Sequence, residues 1–376
     1  MRNYHVVFGS KSFFNDYING NDLHDSASFL NLVRLDDSLK NQKLYSRNDI
    51  IVDSMIIRND DYHGIVSSAH DRLGELIKDL TQDDAEIYVH NPPSSLKNQL
   101  ITQDERKEIN LEIISEEYDI KRTPEDFIQN MKSIEERIFG QHNAVAEMAK
   151  SIWYLTNVDR KKPYVVMLYG KSSLGKTELV REIANCFYSS KFMEKHLSMF
   201  KSGNYAEYFF GNEPNRSSLG FDLLERESNL IFLDELDKCP EAFYSAFYTL
   251  FDNVIFKDLT YEVDISGTFI VLTSNYDSVE EMKKSLGLPI FYRIDKFIHF
   301  EDFTTETIFQ LVKNEIHNRN EEFSNFFTED DVYRIVSPQI QSAGENARTI
   351  KVKIQQSIEN MMFADVEKTQ IGGEHK

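Results

Sequence analysis

The chain reads as an α/β protein with a parallel-sheet core, a helical C-terminal unit and a small N-terminal α/β domain. Three observations predict this. From Tyr164 onward, short apolar runs alternate with helical patterns, which is the signature of a parallel sheet. After about residue 301 the strand-like runs stop, and Phe303–Asn318, Glu329–Val336 and Ala347–Asp365 all have helical spacing. Ahead of the core, residues 1–100 carry their own set of strand and helix signals.

Tyr4–Phe8 and Ile50–Val52 read as strands. Ile65, Val66, Ala69, Leu73, Leu76, Ile77 and Leu80 fall on one helical face. Ala85–Val89 reads as another strand, stopped by Asn91-Pro92-Pro93. Residues 94–122 are rich in charge and poor in aromatics, and 101–122 is read as a connector. Thr123-Pro124-Glu125-Asp126 then announces a helix: threonine caps it, proline suits its first turn, and the acids face the positive dipole end. Phe127, Met131, Ile134 and Ile138 follow on one face. The core is assigned to 123–300 and the helical unit to 301–376, with Thr369–Lys376 expected to be a disordered polar tail.

Composition narrows the function classes. The 376 residues suffice for two or three domains. Lys+Arg 42 against Asp+Glu 62 leave a net charge of −20, so a phosphate backbone is an unfavourable partner. Two cysteines, Cys186 and Cys239, form no disulfide framework, and no CxxC or His/Cys cluster suggests zinc. His63, His70 and His90 are scattered and read as surface or packed residues. The longest apolar runs are far short of a membrane span, and Met1–Gly20 does not read as a signal peptide, so a cytoplasmic location is expected.

The strongest local signal is Gly170-Lys171-Ser172-Ser173-Leu174-Gly175-Lys176-Thr177, which fits G-x4-G-K-[ST]. A strand precedes it, and a helix carrying Leu179, Val180, Ile183, Ala184 and Phe187 follows. In this pattern the backbone N–H groups of Gly170, Ser172, Ser173, Leu174 and Gly175 close around phosphate oxygens at a helix N-terminus. Lys176 reaches the outer phosphates, and the Thr177 hydroxyl can coordinate Mg2+. Asp234 lies 58 residues beyond Lys176, closing the apolar strand Leu230–Leu233 and followed by Glu235. A carboxylate at a strand end can hold the metal, and its neighbour can polarise an attacking water. The expected ligands are ATP and Mg2+.

Around these two motifs, residues 124–365 resemble the AAA+ ATPases, and within them the Clp-type unfoldases. Ile138-Phe139-Gly140-Gln141 looks like the element flanking the adenine, GKTELVREIA like the phosphate-loop helix, and LDELDKCP like the acidic strand with its turn. The resemblance implies that Asn275, ending TFIVLTSN, is a sensor beside the attacking water. It implies that Arg293, in Leu288–Asp295, is a finger reaching a neighbouring subunit's nucleotide. Arg348, in Asn346-Ala347-Arg348, would be a second sensor acting in cis, although the family has glycine directly before the Ala-Arg pair and here Gly344 lies two residues earlier than that position. A homo-oligomer, a ring of six, follows from a finger in trans.

Two departures from the family matter. The threading members carry an aromatic-glycine loop before the acidic strand; here stands Gly211–Ser218 without an aromatic, and Tyr208, Phe209 and Phe210 just upstream are expected to pack in the domain. Only 17 residues separate Asn275 from Arg293, so Leu286-Gly287-Leu288 has no room to protrude, and docking to the Clp peptidase is not expected. Phe243–Phe251, Cys239 and the basic turn Arg160-Lys161-Lys162 are read as structural. By analogy, the N-terminal domain would select a protein client or adaptor. The leading expectation is an ATPase that remodels such a partner. An ATP-gated oligomeric switch or scaffold, in defence or stress, is the alternative, and a DNA motor or loader ranks last because of the charge.

Overall fold

The computed structural model describes residues 1–41, 50–118, 120, 122–200, 206–212, 216–340 and 344–371. Two all-parallel five-stranded sheets organise it.

The first sheet has the order β2-β3-β4-β1-β5, with β1 Asn3–Phe8, β2 Ala27–Ser28, β3 Val52–Ile57, β4 Thr81–His90 and β5 Asn110–Ser115. Helices α1 Lys11–Gly20, α2 Phe29–Asn41, α3 Ser67–His70, α4 Leu73–Asp79 and α5 Ser94–Glu105 connect the strands. Ser10 caps α1 by accepting from the Phe13 N–H. Tyr4, Val6, Met55, Ile57, Ile87 and Val89 fill one face against Leu73, Ile77 and Leu96.

Several expectations need correction here. The strand foreseen at Ile50–Val52 begins at Val52 and runs to Ile57, because Met55, Ile56 and Ile57 are the buried residues. The single helix over Ile65–Leu80 is two short ones, α3 and α4, separated by Asp71-Arg72. Most of the described part of the connector over 101–122 belongs to the domain: α5 runs through Glu105, and β5 pairs with β1 in parallel from Asn3↔Asn110 to Phe8↔Ser115. The charge misled because β5 is an edge strand, whose Asn110, Glu112, Ile113 and Ser115 stay exposed.

The second sheet holds the core. Helices α6 Pro124–Arg137 and α7 His142–Asn157 lead into β6 Tyr164–Tyr169, followed by α8 Lys176–Phe187 and β7 Met193–His196. Thr123 caps α6 as expected, accepting from the Asp126 N–H at 3.1 Å. Then come α9 Ala206–Phe210, α10 Leu219–Leu224, β8 Leu230–Asp234 and α11 Tyr244–Asp252. An antiparallel hairpin that the sequence did not announce, β9 Ile255–Lys257 with β10 Glu262–Asp264, precedes β11 Phe269–Thr273, α12 Val279–Phe291 and β12 Lys296–His299. Strand order is β12-β6-β11-β8-β7. Both sheet faces are covered, so Val165–Leu168, Leu230–Leu233 and Phe269–Leu272 are continuously apolar and almost fully buried. In α12 the chain kinks at Gly287 (φ 73°), which absorbs Pro289 without a protruding loop.

Helices α13 Thr305–Asn318, α14 Asn320–Phe323, α15 Glu329–Val336 and α16 Ala347–Ile371 form the C-terminal unit around Ile308, Val312, Ile316, Val332, Val336, Ile350 and Ile354. The tail expected to be disordered from Thr369 is helical to Ile371; its remainder, 372–376, lies outside the described residues. Among the described residues no helix is long and apolar enough to cross a membrane.

Candidate nucleotide site

Parallel sheets place their functional loops at the carboxyl ends of the strands, and three neighbouring strands of the second sheet end in polar residues. β6 ends in the phosphate-type loop, β11 in Thr273-Ser274-Asn275 and β8 in Asp234-Glu235.

The loop needs backbone conformations that glycine supplies. Gly170 has φ 130°, and a Cβ there would meet the Phe300 carbonyl oxygen at 2.5 Å. Gly175 has φ 100° and opens α8, and a Cβ there would enter open space. Between them Ser173 is left-handed, with φ 61°. This turn brings successive N–H groups to the start of a twelve-residue helix, a concave anion cradle. Leu174 anchors it by burial in the core.

Lys176 is 7% exposed, and its Nζ donates to the carbonyls of Gly170 at 2.6 Å and Lys171 at 2.7 Å. It also donates to Asn275 Oδ1 at 3.3 Å, which ties the loop to the end of β11. Burial lowers its pKa to about 8, opposed by the charges of Asp237 and Asp234. Thr177, next in the helix, is half-buried.

Asp234 is held on both oxygens: the Thr273 hydroxyl donates to Oδ1, and His196 Nδ1 lies 3.2 Å from Oδ2. Glu235 follows in a left-handed conformation, φ 60°, unusual for a glutamate, and its N–H donates to Thr273 Oγ1 at 2.9 Å. Asp237 accepts from the Asn275 N–H at 3.3 Å. Thr273, His196 and Asp237 were not singled out from sequence. Thr273 sits two residues before Asn275 in the same run, whereas His196 comes from β7, whose register against β8 pairs it with Asp234.

The remaining candidates are Ile138, Phe139, Arg348 and Arg293. Ile138 is buried and Phe139 half-buried after α6. Gly140 beside them, φ 70°, packs so closely on Thr307 of α13 that a Cβ would meet Thr307 Cγ2 at 2.4 Å. Gln141 pairs twice with Glu301, donating to its carbonyl at 2.9 Å and accepting from its N–H at 3.1 Å. The helical unit touches the loop directly: the Ala347 N–H donates to the Ser173 carbonyl at 3.2 Å, with exposed Arg348 next along the helix. Arg293 is not with the other candidates. Its Nη1 donates to the Pro289 carbonyl at 2.6 Å, its Nε lies 3.0 Å from Asp252 Oδ2, and its guanidinium sits over Tyr248.

Residues 166–301 match the family described as "ATPase family associated with various cellular activities (AAA)". The chain carries an AAA ATPase domain. By sequence, the AAA domain and its surroundings are similar to the chaperone protein ClpB of Chlamydia trachomatis, at 26% identity over 61% of this chain and 31% of the relative. They are also similar to a ClpA homolog, described as an ATP-dependent Clp protease ATP-binding subunit, of Cyanidium caldarium, at 23% identity over 65% and 31%. The mitochondrial disaggregase of Rattus norvegicus matches at 26% identity over 41% and 25%. The chain thus spans about a third of the length of the ClpB and ClpA relatives.

Of the aromatics upstream of the AAA domain's acidic strand, Phe209 is 2% exposed and stacks on Phe243 at 4.9 Å, while the Tyr208 hydroxyl donates to Asp222 at 2.6 Å. Phe210 is exposed. Of the segment Gly211–Ser218, residues 213–215 lie outside the described residues.

Proposed function

We propose that this chain is a cytoplasmic ATPase that works as a homo-oligomeric ring, of six subunits, and uses hydrolysis to remodel a protein partner. The observation that carries the reading is the Lys176–Asn275 hydrogen bond, which unites the phosphate loop with the end of the strand beside Asp234 and Glu235. The donor set suits Mg2+: Thr177 and Asp234 offer a hydroxyl and a carboxylate, hard oxygen ligands that leave room for phosphate oxygens and water. Bound there, Mg2+ would neutralise charge on the phosphates.

The protein's own groups divide the rest of the work. The cradle from Gly170 to Gly175, including Ser172, Ser173 and Leu174, binds phosphate oxygens through backbone N–H groups, and Lys176 turns from carbonyls to the outer phosphate. Ile138 and Phe139 flank the base. Glu235 accepts a proton from the attacking water, which the Asn275 amide orients. Arg348 approaches the phosphates in cis from α16. Arg293 serves a neighbouring subunit after leaving Asp252.

The test is Glu235→Gln, studied with and without ATP. Turnover is expected to fall by at least about 10²-fold while ATP binding persists, with ATP-dependent oligomers on sizing. Chains that stay monomeric with ATP would remove the ring. Arg293→Ala is expected to bind ATP normally and lose about 10³ in turnover; normal turnover would return Arg293 to a structural ion pair.

A switch or scaffold is the second reading, favoured by the packing of Tyr208 and Phe209 away from solvent. Capture with Glu235→Gln discriminates: a second protein retained only with ATP supports remodelling, the chain alone supports the switch.

A further inference from the structure

A remodeller needs a place to hold polypeptide, and the described aromatics near the acidic strand leave little for it. The free edge of the first sheet offers one. In a parallel pair, alternate residues direct their N–H and C=O groups to the partner strand, and those between direct theirs outward. On β5 the Asn110 N–H donates to the Arg2 carbonyl and the Glu116 N–H to the Phe8 carbonyl, at 3.0 and 2.8 Å. Even-numbered residues therefore serve β1, and Leu111, Ile113 and Ser115 face outward. The Leu111 N–H is satisfied by Asp104 Oδ1 at 3.1 Å. Those of Ile113 and Ser115 have no partner among the described residues.

These two residues line a cleft of about 1150 Å³ between the first sheet and the AAA domain. Its far wall is the end of α7 and the turn between β10 and β11, including Val158, Arg160, Asp264 and Gly267. Ile113 and Val158 are both exposed apolar side chains there. The cations of the cleft are engaged: Arg160 with Asp295 at 2.8 Å, Lys257 with Glu262 at 2.5 Å, Lys97 within 3.9 Å of Glu262, and Arg226 with the carbonyls of Leu223 and Asp264. Glu117 and Asp264 make no ion pair among the described residues.

From this geometry we infer that the cleft takes an extended segment of a partner protein, with apolar and basic residues on the same face, as an added strand on β5. Outward main-chain groups supply the affinity, as in other strand additions, and the side chains select. The stretch from Ile113 to Glu117 accommodates about four or five residues at roughly 3.3 Å each. An apolar residue covers Ile113 and Val158, and a lysine or arginine answers Glu117 and Asp264. This rests on the remodelling reading and gives it a site for its partner.

The experiment uses the full chain without nucleotide and a labelled, acetylated decapeptide in which valine and lysine take turns at the odd positions with threonine between them, followed by fluorescence anisotropy. Ile113→Pro removes an outward N–H and no bond to β1, so proline is tolerated there. Affinity is expected to fall at least about tenfold, with thermal midpoint and basal ATP turnover unchanged, and the corresponding valine-glutamate peptide is expected to bind at least about tenfold more weakly than the lysine one. Unchanged affinity in Ile113→Pro, or equal binding of the two peptides, overturns the proposal. So does a variant whose sedimentation changes while its peptide affinity does not, because the edge would then belong to a second copy of the chain. Should the proline variant unfold, amide exchange on the unaltered chain decides: saturating peptide should slow exchange at Ile113 and Ser115, and unslowed exchange there overturns the strand addition. Normal turnover without peptide binding sinks the cleft alone; peptide binding without turnover sinks the ATPase alone.

Discussion

The two sheets share an architecture and differ at their carboxyl ends. In the AAA domain that end opens onto the loop Gly170–Gly175, the site proposed for the nucleotide's phosphates, where Lys176 bonds Asn275 and feels the charge of Asp234. In the first sheet the same end is closed by the other domain. Gly9 and Asn91, at the ends of β1 and β4, bond each other through the Asn91 amide at 3.1 and 2.8 Å. Glu225, just after α10, accepts from Asn59 at 2.7 Å and Asn91 at 3.3 Å, and Tyr118 donates to the Arg226 carbonyl at 2.8 Å. His63 packs on Phe221. The usual ligand-binding edge of an α/β sheet has become a docking surface. What it docks onto is the segment immediately before β8, the strand that ends in Asp234.

The comparison can be broken at either end. The largest effect is expected from Lys176→Ala, which should cut turnover by about 10²–10³ and weaken ATP binding in an equilibrium assay, while leaving the melting of the first sheet untouched. Retained ATP binding would mean that the loop's resemblance to a phosphate cradle is only structural.

Next comes a pH effect confined to the closed end. His90 is buried there, stacked on Phe14 at 4.4 Å with Nε2 2.9 Å from the Gly9 carbonyl, and burial lowers its pKa from 6.5 to about 4. The unfolded chain takes up this proton near pH 6.5 and the folded chain only near 4. Its contribution is therefore level above pH 6.5, and stability is lost as pH falls towards 4, by about 3 kcal/mol. Glu225, whose carboxyl burial holds above its ordinary range, opposes this, and Asp60, Lys11 and Arg58 also act on His90. The difference in stability slope between wild type and His90→Gln isolates the histidine; identical slopes would count against a neutral buried imidazole.

The smallest of the three is Glu225→Ala. Removing the acceptor of two asparagine amides should cost about 1–3 kcal/mol and separate the melting of the two sheets in calorimetry. A single unchanged transition would show that the docking is held elsewhere.

What could be read from the sequence followed how completely a segment is buried. β6, β8 and β11 are covered on both faces, so their apolar runs marked the strands; the glycine-rich motif pointed to Lys176, the acidic strand end to Asp234, and only the family resemblance to Asn275. β5 was hidden because an edge strand tolerates charge. Residues that act through space, such as His196 and Thr273 on Asp234 or Asp252 on Arg293, carry no local pattern. They became visible only once strand register and helix packing brought them together.

The docked edge also has a consequence for synthesis. Every partner that closes it from the AAA domain lies more than a hundred residues beyond β5. At roughly 5–20 residues per second, the first sheet would be complete about 5–20 s before Glu225 and Arg226 emerge. During that interval Asn59 and Asn91 have water in the place Glu225 will take, and the nascent domain must remain soluble with its future contact surface bare. The polar character of that surface suits it to waiting.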